Sequence, residues 1–126
     1  MTFVDTNYFL RFLLKDNSAM HSEAKELFVR GATGKEELFT STIVIFEIYW
    51  VMSSFYGKNR AELIKILGDI LRMSFVKLSE RETISLALAQ MEKLGFDLED
   101  SFNLVYAKHN GAKVFASFDK KLKKHF

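Results

Sequence analysis

The chain has 126 residues, of which 48% are hydrophobic and 27% are charged. These proportions exclude a disordered chain and predict one globular domain over residues 1–126. Because there is no cysteine, disulfides and thiolate zinc sites are excluded, and any metal ion must be bound by oxygen or imidazole.

The first half of the chain alternates short apolar runs with helical patterns. Strands are predicted at 2–4 and 38–40, each a short apolar run. Helices are predicted after the turn Asp-Thr-Asn at 5–7, then over 18–30 and 42–55. Residues 31–34, Gly-Ala-Thr-Gly, are predicted as a loop.

The second half repeats this alternation. Helices are predicted over 59–73, 80–94 and 99–110, with glycines 95 and 111 ending the last two. Strands are predicted at 74–78 and 114–118, and Asp119 is expected to begin a short terminal helix. Short strands alternating with longer helices predict an α/β fold with a parallel sheet and helices on both faces.

The N-terminus has no basic segment followed by an apolar run, as a secretory signal would. The longest apolar stretch, residues 43–52, is about half a membrane span and contains Glu47. We therefore expect a soluble, cytoplasmic protein.

Ligands of parallel sheets collect at the carboxyl ends of the strands. Asp5 follows the first predicted strand and Asp119 the last, while Asp100 opens a helix. Each of these acids is also a good helix N-cap or a favourable charge near a helix N-terminus, which is the simpler interpretation of each one alone. Asp97, three residues before Asp100, has the same two interpretations.

Glu47 differs because its neighbours three and four positions away are all apolar. We expect it on a largely buried helix, where an ionised carboxylate is costly unless it is paired or bound to a metal ion. A basic or tyrosine partner in the core is the alternative.

Together, four such acids predict a site for Mg²⁺ or Mn²⁺, which prefer carboxylate oxygens. One or two ions would activate water against a phosphodiester. The segment 108–126 has six lysines and one acid, Asp119, which suits either phosphate contact or a solvated surface. The three histidines are scattered without metal-ligand spacing, and there is no glycine-rich phosphate loop.

The order Val-Asp5-Thr-Asn, Ser41 through Glu47, Asp100-Ser-Phe-Asn-Leu and Ser117-Phe-Asp119-Lys-Lys-Leu resembles the PIN domain family over residues 2–122. Within it, the chain resembles the small toxin nucleases of VapBC-type toxin–antitoxin pairs. The resemblance implies a three-layer α/β/α sandwich and cleavage of single-stranded RNA with Mg²⁺ or Mn²⁺. It also implies a homodimer and an antitoxin that occludes the site.

Carried over by position, the resemblance implies a role in catalysis and metal binding for the four acids, with Asp97 as a further metal ligand candidate. It implies supporting roles for Thr6, Asn7 and Ser117. Lys120 and Lys121 are candidate substrate contacts. The complete absence of proline departs from the family, in which the loop after the first helix often has one.

Three competing functions are considered. A phosphoacceptor signalling domain would need a second Asp at a middle strand, and residues 74–78 have none. A non-catalytic RNA-binding or scaffold domain is disfavoured, because four carboxylates would repel the phosphates of RNA without serving a reaction. An RNA-processing nuclease without an antitoxin fits the residues as well as a toxin does.

Overall fold

A computed structural model describes all 126 residues, and each predicted helix is present. The elements, in chain order, are β1 (Thr2–Phe3), α1 (Thr6–Leu14), α2 (Ser18–Ala32), β2 (Leu38–Phe39), α3 (Thr42–Ser54), α4 (Arg60–Leu71), β3 (Val76–Lys77), α5 (Arg81–Leu94), α6 (Leu98–His109) and α7 (Lys120–Lys124).

The three strands form a parallel sheet in the order β1-β2-β3. Thr2 lies opposite Leu38, and Leu38 lies opposite Val76. Helix pairs α1–α2 and α3–α4 make the crossovers that parallel neighbours require. The predicted α/β class with a parallel sheet is confirmed, although the protein is rich in helix and the sheet is small.

Two apolar clusters hold these elements in place. The larger has 21 buried residues and includes Leu38 of β2 with Ile45 and Ile48 of α3, all fully buried. The smaller consists of Phe96, Leu104 and Leu122. This second cluster fastens the C-terminal segment to the turn between α5 and α6, and it thereby determines where Asp119 lies.

The predicted strand at 114–118 is wrong. These residues have no regular structure, Val114 is 77% exposed and Phe118 is fully exposed. Phe115 instead packs on Phe126, with ring centroids 5.3 Å apart, beside the smaller cluster. The half-buried side chain of this segment therefore packs on the C-terminal residue and not on the sheet. No further strand pairs with β1, which remains an edge strand.

The predicted loop at 31–34 is also partly wrong, because α2 continues through Gly31 to Ala32. A Cβ at Gly31 would come within 2.4 Å of Leu38 Cδ1. Glycine here permits close packing of α2 on β2 rather than ending the helix. None of the helices is both long enough and apolar enough to cross a membrane.

Candidate active site

The carboxyl ends of β1 and β2 are joined by a hydroxyl group. Thr40 Oγ1 donates a hydrogen bond of 2.8 Å to the carbonyl oxygen of Val4, and Thr40 is only 7% exposed. The bond holds the chain immediately before Asp5 against the chain that enters α3. Sequence reasoning missed Thr40, although its place between a short strand and the N-cap Ser41 was a usable signal.

Asp5 and Glu47 are linked through Thr6. Asp5 is the N-cap of α1, and its Oδ1 accepts a hydrogen bond of 2.8 Å from the Thr6 backbone N–H. The buried Thr6 side chain donates from Oγ1 to Glu47 Oε2 at 2.9 Å. The cap explains why α1 begins here, and the hydroxyl bond brings the middle of α3 to that same helix end.

The expectation that Glu47 is buried is wrong, because its side chain is exposed. Helix α3 has apolar residues on every side, and it leaves Ile43 and Trp50 exposed at 70% and 65% while Val44, Ile45 and Ile48 are buried. Glu47 lies on the same outward face, one turn from each of the exposed two. The desolvation argument therefore does not apply, and the case for Glu47 rests on its bond with Thr6.

Three acids meet at the start of α6. Asp97 is the N-cap, and its Oδ1 accepts a hydrogen bond of 2.8 Å from the Asp100 backbone N–H. Burial raises the pKa of Asp100, and the charges of Asp97 and Asp119 raise it further. The pKa of Glu99 is also raised, by burial and by Asp97 and Asp100. No side chain of opposite charge forms an ion pair with any of these acids.

Asp119 lies close enough to Asp100 to act on its charge, although it comes from a different segment. It is the N-cap of α7, where its Oδ1 accepts from the Leu122 backbone N–H at 3.0 Å. Ser117 Oγ accepts from the Asp119 backbone N–H, also at 3.0 Å. Ser117 therefore supports Asp119 by shaping the turn before it.

Helices α3 and α6 are in contact, so the Asp5–Glu47 pair and the acids of α6 belong to one region. The ring of Phe46, next to Glu47, meets the edge of Phe102, which follows Asp100 by two positions, with centroids 5.4 Å apart. Burial raises the pKa of Tyr49, and the charges of Glu99 and Asp97 raise it further. Tyr49, two residues after Glu47, is therefore near enough to the acids of α6 for their charges to affect its pKa.

Arg60 is a second residue that sequence reasoning missed. Its guanidinium donates to the carbonyl oxygens of Phe96 at 2.6 Å and Gly95 at 2.9 Å. These carbonyls form the turn that leads into Asp97, and Gly95 there has a φ of 80°, which favours glycine. A single arginine on α4 therefore fixes the entry to α6.

The remaining predicted residues are exposed. Asn7 lies on the first turn of α1, and Lys120 and Lys121 lie on α7. Lys121 Nζ is 5.7 Å from the centroid of the Phe96 ring, so its charge is held over the smaller apolar cluster. Both lysines follow Asp119 directly.

No group of three or more His, Asp or Glu side chains is gathered closely enough to hold a metal ion as the side chains stand. Asp5 and Glu47 are linked through Thr6, and the charges of Asp97 and Asp119 act on Asp100. Their chemistry nevertheless fits a hard divalent cation, because all the donors are carboxylates. Burial, and after it the charges of Asp97 and Asp119, raise the pKa of Asp100, and a bound cation would offset this cost to the ionised carboxylate.

The sequence was also compared with those of known proteins. The sequence model described as PIN domain matches residues 2–125, nearly the whole chain. The chain belongs to the PIN domain family. The comparisons with curated proteins and with solved structures found no match.

PIN domains are generally nucleases and typically use divalent metal ions. Membership of this family raises the question of whether helix capping alone explains the acids at the start of α6 and at Asp119. An N-cap interpretation accounts for Asp97 and Asp119, since each accepts a backbone N–H bond at the start of a helix. It does not account for Asp100, which caps nothing. The dipole of α6 favours a carboxylate in its first turn, but no basic side chain pairs with Asp100, and burial and the charges of Asp97 and Asp119 raise its pKa.

Proposed function

We propose that this PIN domain is an endoribonuclease that depends on Mg²⁺ or Mn²⁺ and cleaves single-stranded RNA. The observation that carries the proposal is the environment of Asp100. Its carboxyl is partly buried beside Asp97 and Asp119, and its pKa is raised as a result. Burying like charges together costs stability unless a cation is bound, so such a cluster favours a functional explanation over a structural one.

Asp5, Glu47, Asp100 and Asp119 are the proposed metal ligands, directly or through water, with Asp97 as a fifth candidate. Thr6 orients Glu47 through its hydroxyl bond, and Ser117 shapes the turn that presents Asp119. When bound, the cation supplies activation of the attacking water and neutralises charge on the phosphate. Asn7 completes the α1 turn that carries Asp5.

Lys120 and Lys121 are the proposed contacts to the RNA backbone. They are exposed and follow Asp119 without a gap, so a phosphate that approaches the acids would lie within reach of their ammonium groups. Such contacts contribute affinity that is independent of sequence and falls with salt.

The direct test is cleavage of a labelled single-stranded RNA by purified protein with Mn²⁺, with Mg²⁺ and with EDTA. We expect cleavage in the first two and none in the third. Asp5→Asn should abolish cleavage while circular dichroism stays unchanged, because Asn still accepts the Thr6 N–H bond and keeps the cap.

The matched control is Asn17→Asp. Asn17 is the N-cap of α2, and Asp caps equally well, so this variant changes charge at a helix start away from the site. Full activity in Asp5→Asn, or cleavage of equal rate in EDTA, would contradict the proposal.

The proposal extends to the finer features that the resemblance implies: the toxin of a toxin–antitoxin pair, a homodimer, and the three-layer α/β/α arrangement. The outward face of α3, with Ile43 and Trp50 exposed, supports a protein partner. Sedimentation velocity tests the dimer, and co-expression with the neighbouring gene tests the antitoxin. Activity without either partner would favour the RNA-processing enzyme. Absence of any heat on calorimetric titration with Mn²⁺ would favour the non-catalytic scaffold.

A further inference from the structure

A small pocket lies between α1 and α2, separate from the acids. Its volume is about 200 Å³. Sites that hold a whole drug-sized ligand have roughly 300–1,000 Å³, so this pocket suits a single planar ring system. The residues that line it are Asn7, Tyr8 and Arg11 of α1 with Met20, Glu23 and Ala24 of α2.

The pocket begins beside the proposed active site. Asn7 is two residues from Asp5 and lies on the first turn of α1. Arg11 is one turn further along on the same face, which places it roughly 6 Å from Asn7 along the helix axis. A ligand that fills the pocket therefore extends from the N-terminus of α1, where Asp5 and Thr6 lie, toward the centre of α2.

The polar groups of the pocket include both a fixed acceptor and a fixed donor. Tyr8 Oη donates to Glu23 Oε1 at 3.2 Å, which leaves Glu23 Oε2 without a protein partner. Burial raises the pKa of Tyr8, and the charge of Glu23 and its hydrogen bond raise it further, which agrees with the hydroxyl acting as the donor in this bond.

Arg11 supplies the donors. Its Nη1 is bonded to Asp16 Oδ2 at 2.7 Å. A guanidinium has five N–H groups in a fixed fork, so donors remain for a ligand. The bond with Asp16 holds the fork in place at the rim.

A carboxylate and a guanidinium facing one ring-sized pocket match guanine better than the other bases. Guanine has adjacent N–H donors on its Watson–Crick edge, and it has the O6 and N7 acceptors that arginine binds in bidentate fashion. Adenine and cytosine offer a carboxylate only their amino group, and uracil has one N–H. The apolar surfaces of Met20 and Ala24 and the Tyr8 ring would contact the face of the base.

We propose that this pocket binds a guanine base of the RNA substrate and so determines the base preference of cleavage. Glu23 accepts from the Watson–Crick edge, and Arg11 donates to O6 or N7. The inference rests on the proposed function, since it assumes that RNA approaches the acids.

Binding is tested first without metal or cleavage. Nuclear magnetic resonance titrations of the protein in EDTA with GMP, AMP, CMP and UMP should show shifts at Tyr8 and Ala24 with GMP only. Glu23→Gln replaces an acceptor with a donor, so GMP should bind about tenfold more weakly. The matched control is Glu26→Gln, an exposed acid on the same helix outside the pocket. Equal shifts with all four nucleotides, or no shifts, would overturn the proposal.

Cleavage mapping on a randomised RNA with Mn²⁺ is the second arm. We expect guanosine to be enriched at one position next to the cut. Glu23→Gln or Arg11→Gln should reduce this enrichment about tenfold, and the cleavage that remains should still require Mn²⁺. Circular dichroism checks that both variants fold. Selective GMP binding with an unchanged cleavage pattern would overturn the RNA role and indicate a site for a free guanine nucleotide.

The two proposals fail in different ways. If no RNA is cleaved with any metal, the proposed function fails, and the pocket is judged on the binding of guanosine-containing and adenosine-containing oligonucleotides in EDTA. If cleavage depends on metal but Glu23→Gln changes neither binding nor base preference, the pocket proposal alone fails. Protection of Tyr8 by a protein partner and not by GMP would also overturn it.

Discussion

Two acids on different helices of the molecule have opposite environments. Asp69, on α4, is bonded by Lys65 at 3.1 Å and by Arg72, and these hydrogen bonds lower its pKa. Asp100, on α6, has no basic partner, and burial together with Asp97 and Asp119 raises its pKa. The comparison separates a carboxylate that has basic partners within the fold from one that has none.

The largest expected effect contrasts Asp100→Asn with Asp69→Asn. Removing a ligand of the metal forfeits several kcal/mol of charge stabilisation, so we expect RNA cleavage by Asp100→Asn to fall by more than about a hundredfold, each tenfold being 1.36 kcal/mol. Asp69→Asn should keep the wild-type rate. Single-turnover cleavage with Mn²⁺ measures both. Similar activity in the two variants would remove the distinction between the two acids.

The next effect is stabilisation by metal. A ligand that binds only the folded state stabilises it by about 2.7 kcal/mol at one hundred times its dissociation constant, which is roughly a 10 °C rise in Tm for a domain of this size. We expect Mn²⁺ to raise the Tm of the wild type and of Asp69→Asn. The Tm of Asp100→Asn should stay flat. Differential scanning fluorimetry is sufficient, and a rise in all three proteins would point to binding elsewhere.

Thr6→Val should give a smaller loss. The variant removes the hydroxyl that holds Glu47, which is a positioning role, and such outer contacts typically contribute about 10–100-fold to metal affinity or activity. We expect half-maximal cleavage to need a higher Mn²⁺ concentration. The free energy of unfolding should fall by about 1 kcal/mol, since one hydrogen bond is lost. Thr6→Ser should restore the metal dependence. An unchanged metal requirement in Thr6→Val would indicate that the bond is only structural.

The smallest expected effect is on how the free energy of unfolding changes with pH. Because the folded protein holds the Asp100 proton more tightly than the unfolded chain, stability falls as pH rises from the unfolded pKa of about 3.9 through the raised value. Without metal, Asp100→Asn should therefore be slightly more stable than the wild type at pH 7, with the gain vanishing toward pH 4.

Asp69 has the opposite sign. Its lowered pKa contributes stability above about 3.9 that is lost as pH falls through the lowered value. Asp69→Asn should therefore be less stable at pH 7, by at most a few tenths of a kcal/mol because the pair is exposed. Urea denaturation at pH 7 compares the free energies of unfolding of both variants with that of the wild type, and equal signs there would contradict the comparison. Repeating it near pH 4 tests whether the gain of Asp100→Asn vanishes.

The helices could be predicted because each one carries its own signals. Asn59 and Glu62 form a capping box at the start of α4, and Asp97 caps α6. Local residues decide such features, so a single sequence contains them. The alternation of strands and helices then predicted a parallel sheet, and the carboxyl ends of its strands predicted the region of Asp5.

The errors came from features that depend on the rest of the molecule. Helix α3 is apolar on every side, so its sequence cannot say that Glu47 and Trp50 face outward. Residues 114–118 are apolar enough for a strand, but Phe115 packs against Phe126 instead. The nearness of Asp119 to Asp100 follows from the packing of Leu122 with Phe96 and Leu104, against which this aromatic pair lies. The family pattern implied only that both acids belong to the site.

The bonds of Arg60 predict where inactivating mutations would be found along the chain. Its guanidinium holds the carbonyls of Gly95 and Phe96, and so the entry to α6, from a helix that contributes none of the proposed ligands. Substitutions there would release the turn before Asp97 while leaving every carboxylate in the sequence. A selection for inactive alleles would therefore recover changes at Arg60 beside changes in the acids, and a map of lesions along the chain would mark α4 as part of the active site.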